Sequence, residues 1–259
     1  MSEKCHSLLL GNNGKPLAQV ASVSAEFVDQ YFIPEHYHPE DQLIFASRGV
    51  MTVGTEQGIW VVPPLRAVWI PVGTRHSVGM SGSVSMRTLY FLPGVVHARI
   101  SRCFVMNVPA LLRELIIYAC QFPKLRRNVA EQKSLIDLIV TQVRAANSVP
   151  LQLPQPLDPR ATKVAQILLA NPSDERRLET LCKNCGASKR TIQRIFISET
   201  KMTFGKWRQQ LRLLHALQLL ASGEKVSAAA LEAGYNSTSA FIAMFKAQLG
   251  ATPTNYFKS

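Results

Sequence analysis

The sequence predicts a multidomain β + α protein: an N-terminal all-β domain, two linking helices, and a C-terminal all-α domain built twice from one unit. Three observations carry this. From Val20 to about Pro93 short apolar runs are punctuated by Gly and Pro, the signature of several short strands in a sandwich or barrel. Val149–Pro159 holds four prolines in eleven residues, which disfavour helix and stiffen an extended linker. Beyond it the chain reads as nearly continuous helix and repeats itself.

The chain has 259 residues, 47% of them apolar, enough for two modest cores. Its net charge of +12 is uneven: residues 160–259 hold 15 Lys/Arg against 6 Asp/Glu, whereas residues 1–159 hold 14 against 11. The basic surplus of the C-terminal part suits a nucleic-acid footprint. No apolar run approaches the roughly 20 residues of a membrane span, and Met1-Ser-Glu-Lys-Cys5 lacks the layout of a signal peptide, so a cytoplasmic protein without membrane contact is expected. Five cysteines without framework spacing fit reduced thiols. Cys182-Lys-Asn-Cys185 has the spacing of a redox or zinc pair, but no second pair completes a zinc site, and Cys182 falls where a small core residue is needed.

In order along the chain, the expected strands lie in Gln42–Ala46, Gly49–Gly54, Gly58–Pro64, Ala67–Gly73 and Met86–Pro93. Trp69, in an apolar run, is expected in the core. Arg48, Arg75 and Tyr90 are candidates for pocket walls or packing. Helices follow near 109–121 and 129–146, the second with Leu135, Leu138, Ile139 and Val143 at three- and four-residue steps. The domains expected are 1–100, a helical segment 101–148, the linker 149–159, and 160–259.

Within the last hundred residues Cys182, Gly186, Ser188, Ile192 and Phe196 correspond to Ala230, Gly234, Ser237, Phe241 and Phe245, with one extra residue in the second turn. Each set has a small residue four positions before a turn Gly, a Ser that N-caps the next helix, and apolar residues four and eight positions beyond the cap. Two helix-turn-helix units are therefore predicted. Between them Phe204–Ala221 reads as one helix, a rod of roughly 26 Å. Such a rod can hold two recognition helices about one DNA turn apart, roughly 34 Å, on one side of a duplex.

Leu178–Phe257, with Trp207-Arg-Gln-Gln-Leu-Arg-Leu213, Gly234-Tyr-Asn-Ser-Thr-Ser-Ala-Phe-Ile242, Phe245-Lys246 and Gly250-Ala-Thr-Pro253, resembles the AraC/XylS family of bacterial transcription regulators. The resemblance implies base reading by Arg190, Gln193 and Arg194 of the first recognition helix, with Ser188 and Lys189 completing its DNA contacts. An Arg suits guanine and a Gln adenine. The matching positions of the second helix are Ser239, Ile242 and Ala243, where many members carry Arg at the last. Thr238, Ser239 and Lys246 are therefore expected to anchor phosphates, and Ile242 to touch thymine methyls, more than to read bases by hydrogen bonds. Lys201 stands where the family often has Gly; a left-handed backbone there would strain it by roughly 1 kcal/mol.

His36-Tyr-His38-Pro-Glu-Asp-Gln42 followed by Gly49, and Pro71-Val-Gly-Thr-Arg-His76, resemble the two motifs of the cupin barrel, which makes the N-terminal domain cupin-like. Residues two apart on a strand share a face, so His36 and His38 would enter the barrel together, with His76 from a neighbouring strand. Three imidazoles suit a divalent first-row metal. Gln42 stands where cupins commonly use a Glu ligand, a weaker donor in that place; without metal the same residues would line an effector pocket. Leu111, Leu115, Leu135, Leu138 and Ile139 lie where related regulators form a homodimer.

The implied function is a transcription regulator that binds promoter DNA and is controlled by a small-molecule effector or metal in the barrel. An activator is expected ahead of a repressor, with RNA polymerase as a candidate partner and no catalysis. The competing readings are a metal-dependent cupin enzyme fused to a DNA-binding domain and an effector-independent DNA-binding protein.

Overall fold

The N-terminal half forms one sheet whose long strands pair antiparallel. The computed structural model describes residues 3–4, 7–11, 14–96 and 102–257. The expected boundary between residues 100 and 101, and Cys5, lie outside the described residues. The strands are β1 (Glu3–Lys4), β2 (Val20–Phe27), β3 (Phe32–Tyr37), β4 (Asp41–Thr55), β5 (Gly58–Val62), β6 (Arg66–Ile70), β7 (His76–Phe91) and β8 (Phe104–Asn107). After α1 (Ala110–Ala119), β9 (Lys124–Leu125) and α2 (Ala130–Ala145) come β10 (Ser148–Val149) and β11 (Gln152–Pro154).

The runs expected as separate strands around Gln42–Ala46 and Gly49–Gly54 are the single strand β4. Gly49, at φ +76°, forms a bulge rather than a break, and the register with β7 shifts on both sides of Arg48. A Cβ at Gly49 would lie 2.7 Å from the Ser83 carbonyl oxygen, so the close approach requires glycine. The bulge lets β4 pair with β7 along its whole length, from Asp41 opposite Phe91 to Gly54 opposite Ser77.

One face of this sheet meets α1 and α2. Leu43 and Phe45, Ala67 and Trp69, Leu89 and Phe91 pack with Leu112, Ile116, Leu135, Ile136, Ile139 and Val143 in one buried cluster. This corrects the separate helical segment expected over 101–148: β8 pairs with β6, and both helices close the sheet's core. Leu135 and Ile139 are spent inside, whereas Leu111 and Leu138 stay 53% and 48% exposed. Gln42, Thr88 and Tyr90, one residue out of phase, face the opposite side.

By contacts the chain divides into two units, Met1–Glu56 with Trp60–Gln152 and Gln57–Ile59 with Leu153–Ser259. The second holds α3 (Pro159–Ala170), α4 (Leu178–Leu181), α5 (Lys189–Ile195), α6 (Phe204–Ala221), α7 (Val226–Glu232), α8 (Thr238–Leu249) and α9 (Pro253–Tyr256). The C-terminal part of the Pro-rich stretch is docked on this unit rather than free, because prolines lack N–H groups but keep acceptor carbonyls. Pro154 O accepts from Trp207 Nε1 at 2.7 Å, Pro156 O accepts from Thr162 Oγ1 at 2.8 Å, and the Leu157 and Asp158 amides donate to Glu199 Oε2. Asp158 then caps α3 by accepting from Arg160 N.

Two aromatic groups set the core of the helical unit. Phe196 meets Phe204 and Trp207 edge-on, each at 5.3 Å, beneath the first half. Tyr235, Phe241, Phe245 and Tyr256 form a chain of ring contacts beneath the second. The α6 helix contributes Trp207, Leu211, Leu213, Leu214, Ala216 and Leu217, buried on more than one side.

Candidate nucleic-acid interface and histidine cluster

The first helix-turn-helix is α4, extended by a 3-10 turn over Cys182–Asn184, then Gly186 at φ +74° and α5. Ser188 caps α5 by accepting from Thr191 N at 3.3 Å, as its spacing predicted. Ile192 and Ile195 turn inward, leaving Ser188, Lys189, Arg190, Gln193 and Arg194 exposed on the outer face. Lys189 is not a free cation: its Nζ pairs with Glu179 on α4. A π-type turn over Phe196–Thr200 ends the helix, and Lys201, where the family often has Gly, takes the left-handed conformation at φ +60°.

The second unit repeats this plan. After α7, Gly234 turns the chain at φ +82°, Ser237 caps α8 by accepting from Ala240 N, and Phe241, Phe245 and Leu249 are buried. Ser239, Ala243 and Lys246 are exposed, and Thr238 and Ile242 half-buried. Cys182 and Cys185 are packed inside the first unit, where Cys185 Sγ donates to Cys182 O and burial pushes the Cys182 thiol up to about 11. Their role is in the core, as the position of Cys182 suggested.

Sequence reasoning missed Arg212, because its partners are backbone carbonyls 22 to 40 residues away and leave no periodic trace. Its guanidinium donates to Pro172 O, Asp174 O and Gly234 O. A Cβ on Gly234 would lie 2.7 Å from the Arg212 Cζ, while one on Gly186 would meet nothing within 4 Å. Gly186→Ala should therefore cost about 1–2 kcal/mol from backbone strain alone, and Gly234→Ala more. Urea titrations of the two variants check this; equal losses would mean that the guanidinium moves aside freely.

In the N-terminal unit, β3 brings His36, the following loop His38, and the start of β7 His76, with His36 paired opposite His76 in register. Their ring centroids are 4.3 to 5.6 Å apart, and one ring nitrogen from each lies within 4.8 Å of the others. Among the described residues this is the cluster with metal-ligand spacing. The Nδ1 atoms of His36 and His76 lie 2.8 and 2.9 Å from the carbonyls of Pro34 and Thr74, which makes Nδ1 the donor and leaves each Nε2 a lone pair. The Nε2 atoms of His38 and His76 are buried without a partner. Two buried, unpartnered ring nitrogens beside a third imidazole fit a divalent cation.

Gln42 is buried, its Nε2 donating to Tyr90 Oη at 3.1 Å and Thr88 Oγ1 at 3.3 Å, with Oε1 buried and unpartnered. Tyr90 lies edge-on to His38, so it lines the site. Arg48 and Arg75 do not: both are exposed, near Glu26 and Glu35. Glu40 Oε1 accepts from Ser7 Oγ and Leu8 N, and Asp41 accepts from Val72 N. Neither carboxylate is in the cluster.

Burial, and then neighbouring imidazoles, push His38 down from 6.5 to about 4; burial first does the same for His76. Both rings are therefore neutral at pH 7. Unfolding returns each to about 6.5, so the unfolded chain binds protons that the folded chain refuses between pH 6.5 and 4. The stability of this unit should be independent of these groups above that window and fall as pH drops through it. Denaturant midpoints at pH 7.5 and 5 test this, the expected fall shrinking in His76→Gln.

Residues 18–157 match the model of the AraC-like ligand binding domain, and residues 181–259 that of a helix-turn-helix domain. The chain is 33% identical over 228 residues to the HTH-type transcriptional regulator NimR of Escherichia coli, covering 88% of this chain and 83% of NimR. It is 31% identical over 104 residues to the HTH-type transcriptional activator RhaR of Klebsiella pneumoniae, 37% of each. ToxT of Vibrio cholerae is a structural neighbour at TM-score 0.40 and 12% identity, covering 93% of this chain and 98% of ToxT. No described helix is long and apolar enough to cross a membrane. With a duplicated helix-turn-helix behind an AraC-like ligand-binding domain, and relatives that are regulators rather than enzymes, this chain belongs to the AraC family of DNA-binding transcription regulators.

Proposed function

We propose that the chain is a cytoplasmic, effector-controlled transcription activator in which His36, His38 and His76 hold a divalent first-row metal. The observation that carries the metal is the pair of buried, unpartnered Nε2 atoms beside a third imidazole. A set of neutral nitrogen donors without a carboxylate favours Zn2+, Cu2+, Ni2+ or Co2+ over Mg2+ and Ca2+. Gln42 Oε1 is a reserve donor, since its amide nitrogen is already committed. Bound metal would act as an effector or fix the position of a small-molecule effector; it must bind two conformations unequally to change DNA occupancy.

Reading of DNA is assigned to Ser188, Lys189, Arg190, Gln193 and Arg194 on the first helix, and to Thr238, Ser239, Ile242 and Lys246 on the second. Activation, with RNA polymerase as partner, is favoured by the likeness to RhaR, whose name is that of an activator. The exposed Leu111, Tyr118 and Leu138 of α1 and α2 support a homodimer through these helices. A sedimentation mass of one chain at micromolar concentration would remove the dimer.

The test is a gel shift on DNA upstream of the protein's own and neighbouring genes, with scrambled competitor at fixed salt, after chelation and after reloading with Zn2+ or Ni2+. Specific occupancy is expected to change on loading in wild type and not in His76→Ala. Loading that binds to wild type by calorimetry yet leaves occupancy unaltered would remove the metal as effector. Failure to bind any of the four ions would remove the metal altogether.

A further inference from the structure

We propose that Arg212 is a positioning residue that fixes the separation of the two reading helices, and so the spacing of the DNA segments the protein accepts. This rests on the reading that α5 and α8 both engage DNA. Along α6, Arg208 and Arg212 lie one turn apart. Arg208 Nη1 donates to Arg176 O at 2.8 Å. Arg212 donates from Nε to Pro172 O at 3.2 Å, from Nη2 to Asp174 O at 3.3 Å and from Nη1 to Gly234 O at 2.7 Å.

The loop 171–177 leads into α4, the first helix of one reading unit, and Gly234 is the turn that launches α8 in the other. One planar guanidinium therefore pins the approach to the first unit and the turn of the second to the same point on α6. The buried side chains of α6 are otherwise mostly apolar, and burial of apolar surface resists separation but is non-directional. Hydrogen bonds from a rigid fork weaken steeply with angle, so they resist rotation of one unit relative to the other. Duplex DNA advances about 3.4 Å per base pair, so a small rotation at the Arg212 pin moves α8 toward a different step of the groove. Gly234 is part of the device: any Cβ there would collide with the guanidinium it receives.

The probe is a duplex selected from a random pool by the full-length wild-type chain, its two contacted segments located by hydroxyl-radical footprinting. It is compared with versions carrying one base pair more or fewer between those segments. Wild type is expected to lose about tenfold in affinity on each respaced duplex. Arg212→Gln and Gly234→Ala should bind the parent duplex about tenfold more weakly and discriminate respaced duplexes less than about threefold, while protection of the first segment persists. Arg212→Lys, which keeps the charge but not the fork, should behave like Arg212→Gln and carries the test if the glutamine variant does not fold. Folded variants that weaken on all three duplexes by one common factor, or not at all, would overturn the assignment. Wild type indifferent to respacing would instead sink the two-helix reading, and the proposal with it.

Discussion

Trp207→Ala is expected to destabilise the DNA-binding unit by about 3–5 kcal/mol, the range for removing a large buried aromatic side chain. Trp207 is 0% exposed, lies edge-on to Phe196 at 5.3 Å, and donates to the Pro154 carbonyl. Truncation removes the packing on which the first recognition helix rests and strips the docked linker of a donor, leaving Pro154 O without that partner. Against the 5–15 kcal/mol that holds a typical domain together, this is a large fraction. Trp207→Phe keeps most of the ring but not the N–H, so it should recover more than half of the loss. Urea denaturation followed by circular dichroism measures both. A loss below about 1 kcal/mol for the alanine variant would mean that the unit does not depend on this ring.

The helix-turn-helix repeat was readable because everything that specifies it is local. Gly186 and Gly234 take positive φ, Ser188 and Ser237 cap, and Ile192, Phe196, Phe241 and Phe245 lie at helical spacing on buried sides. The histidine cluster was readable for the same reason, since His36 and His38 are two residues apart and the third has its own short motif. Features that depend on distant partners were not. Gly49 looked like a break between strands because a bulge and a turn share the residue that makes them; the Ser83 backbone across the sheet decides between them. Leu135 and Ile139 had the periodicity of an interface as much as of a core, and the sheet under them settled the matter. Lys189 was expected only as a DNA contact, and its ion pair with Glu179, ten residues earlier, depends on the turn that brings the two together.

The largest functional effect is expected on the first recognition helix. Arg194→Ala should cost about 1–3 kcal/mol of discrimination on the preferred site, roughly 5- to 150-fold, and relax the base preference at one position. Arg190→Ala should do the same at another. Both side chains are exposed on α5, whose inner face is held by Ile192 and Ile195, so neither replacement disturbs packing. At the matching places of α8 stand Ser239, a half-buried Ile242 and Ala243, which offer one hydroxyl and two apolar groups. A hydroxyl pairs with any base and a methyl distinguishes only thymine, so the second helix is expected to hold more than it reads. Ser239→Ala should therefore lower affinity modestly and equally across sequences, and Lys246→Ala should also flatten the salt dependence by about one unit of slope. A binding-site matrix from selection with wild type, Arg194→Ala and Ser239→Ala decides the matter. The expected matrix concentrates its information in the half under α5 and loses it there in Arg194→Ala; equal information in both halves would mean that α8 reads bases despite lacking an arginine.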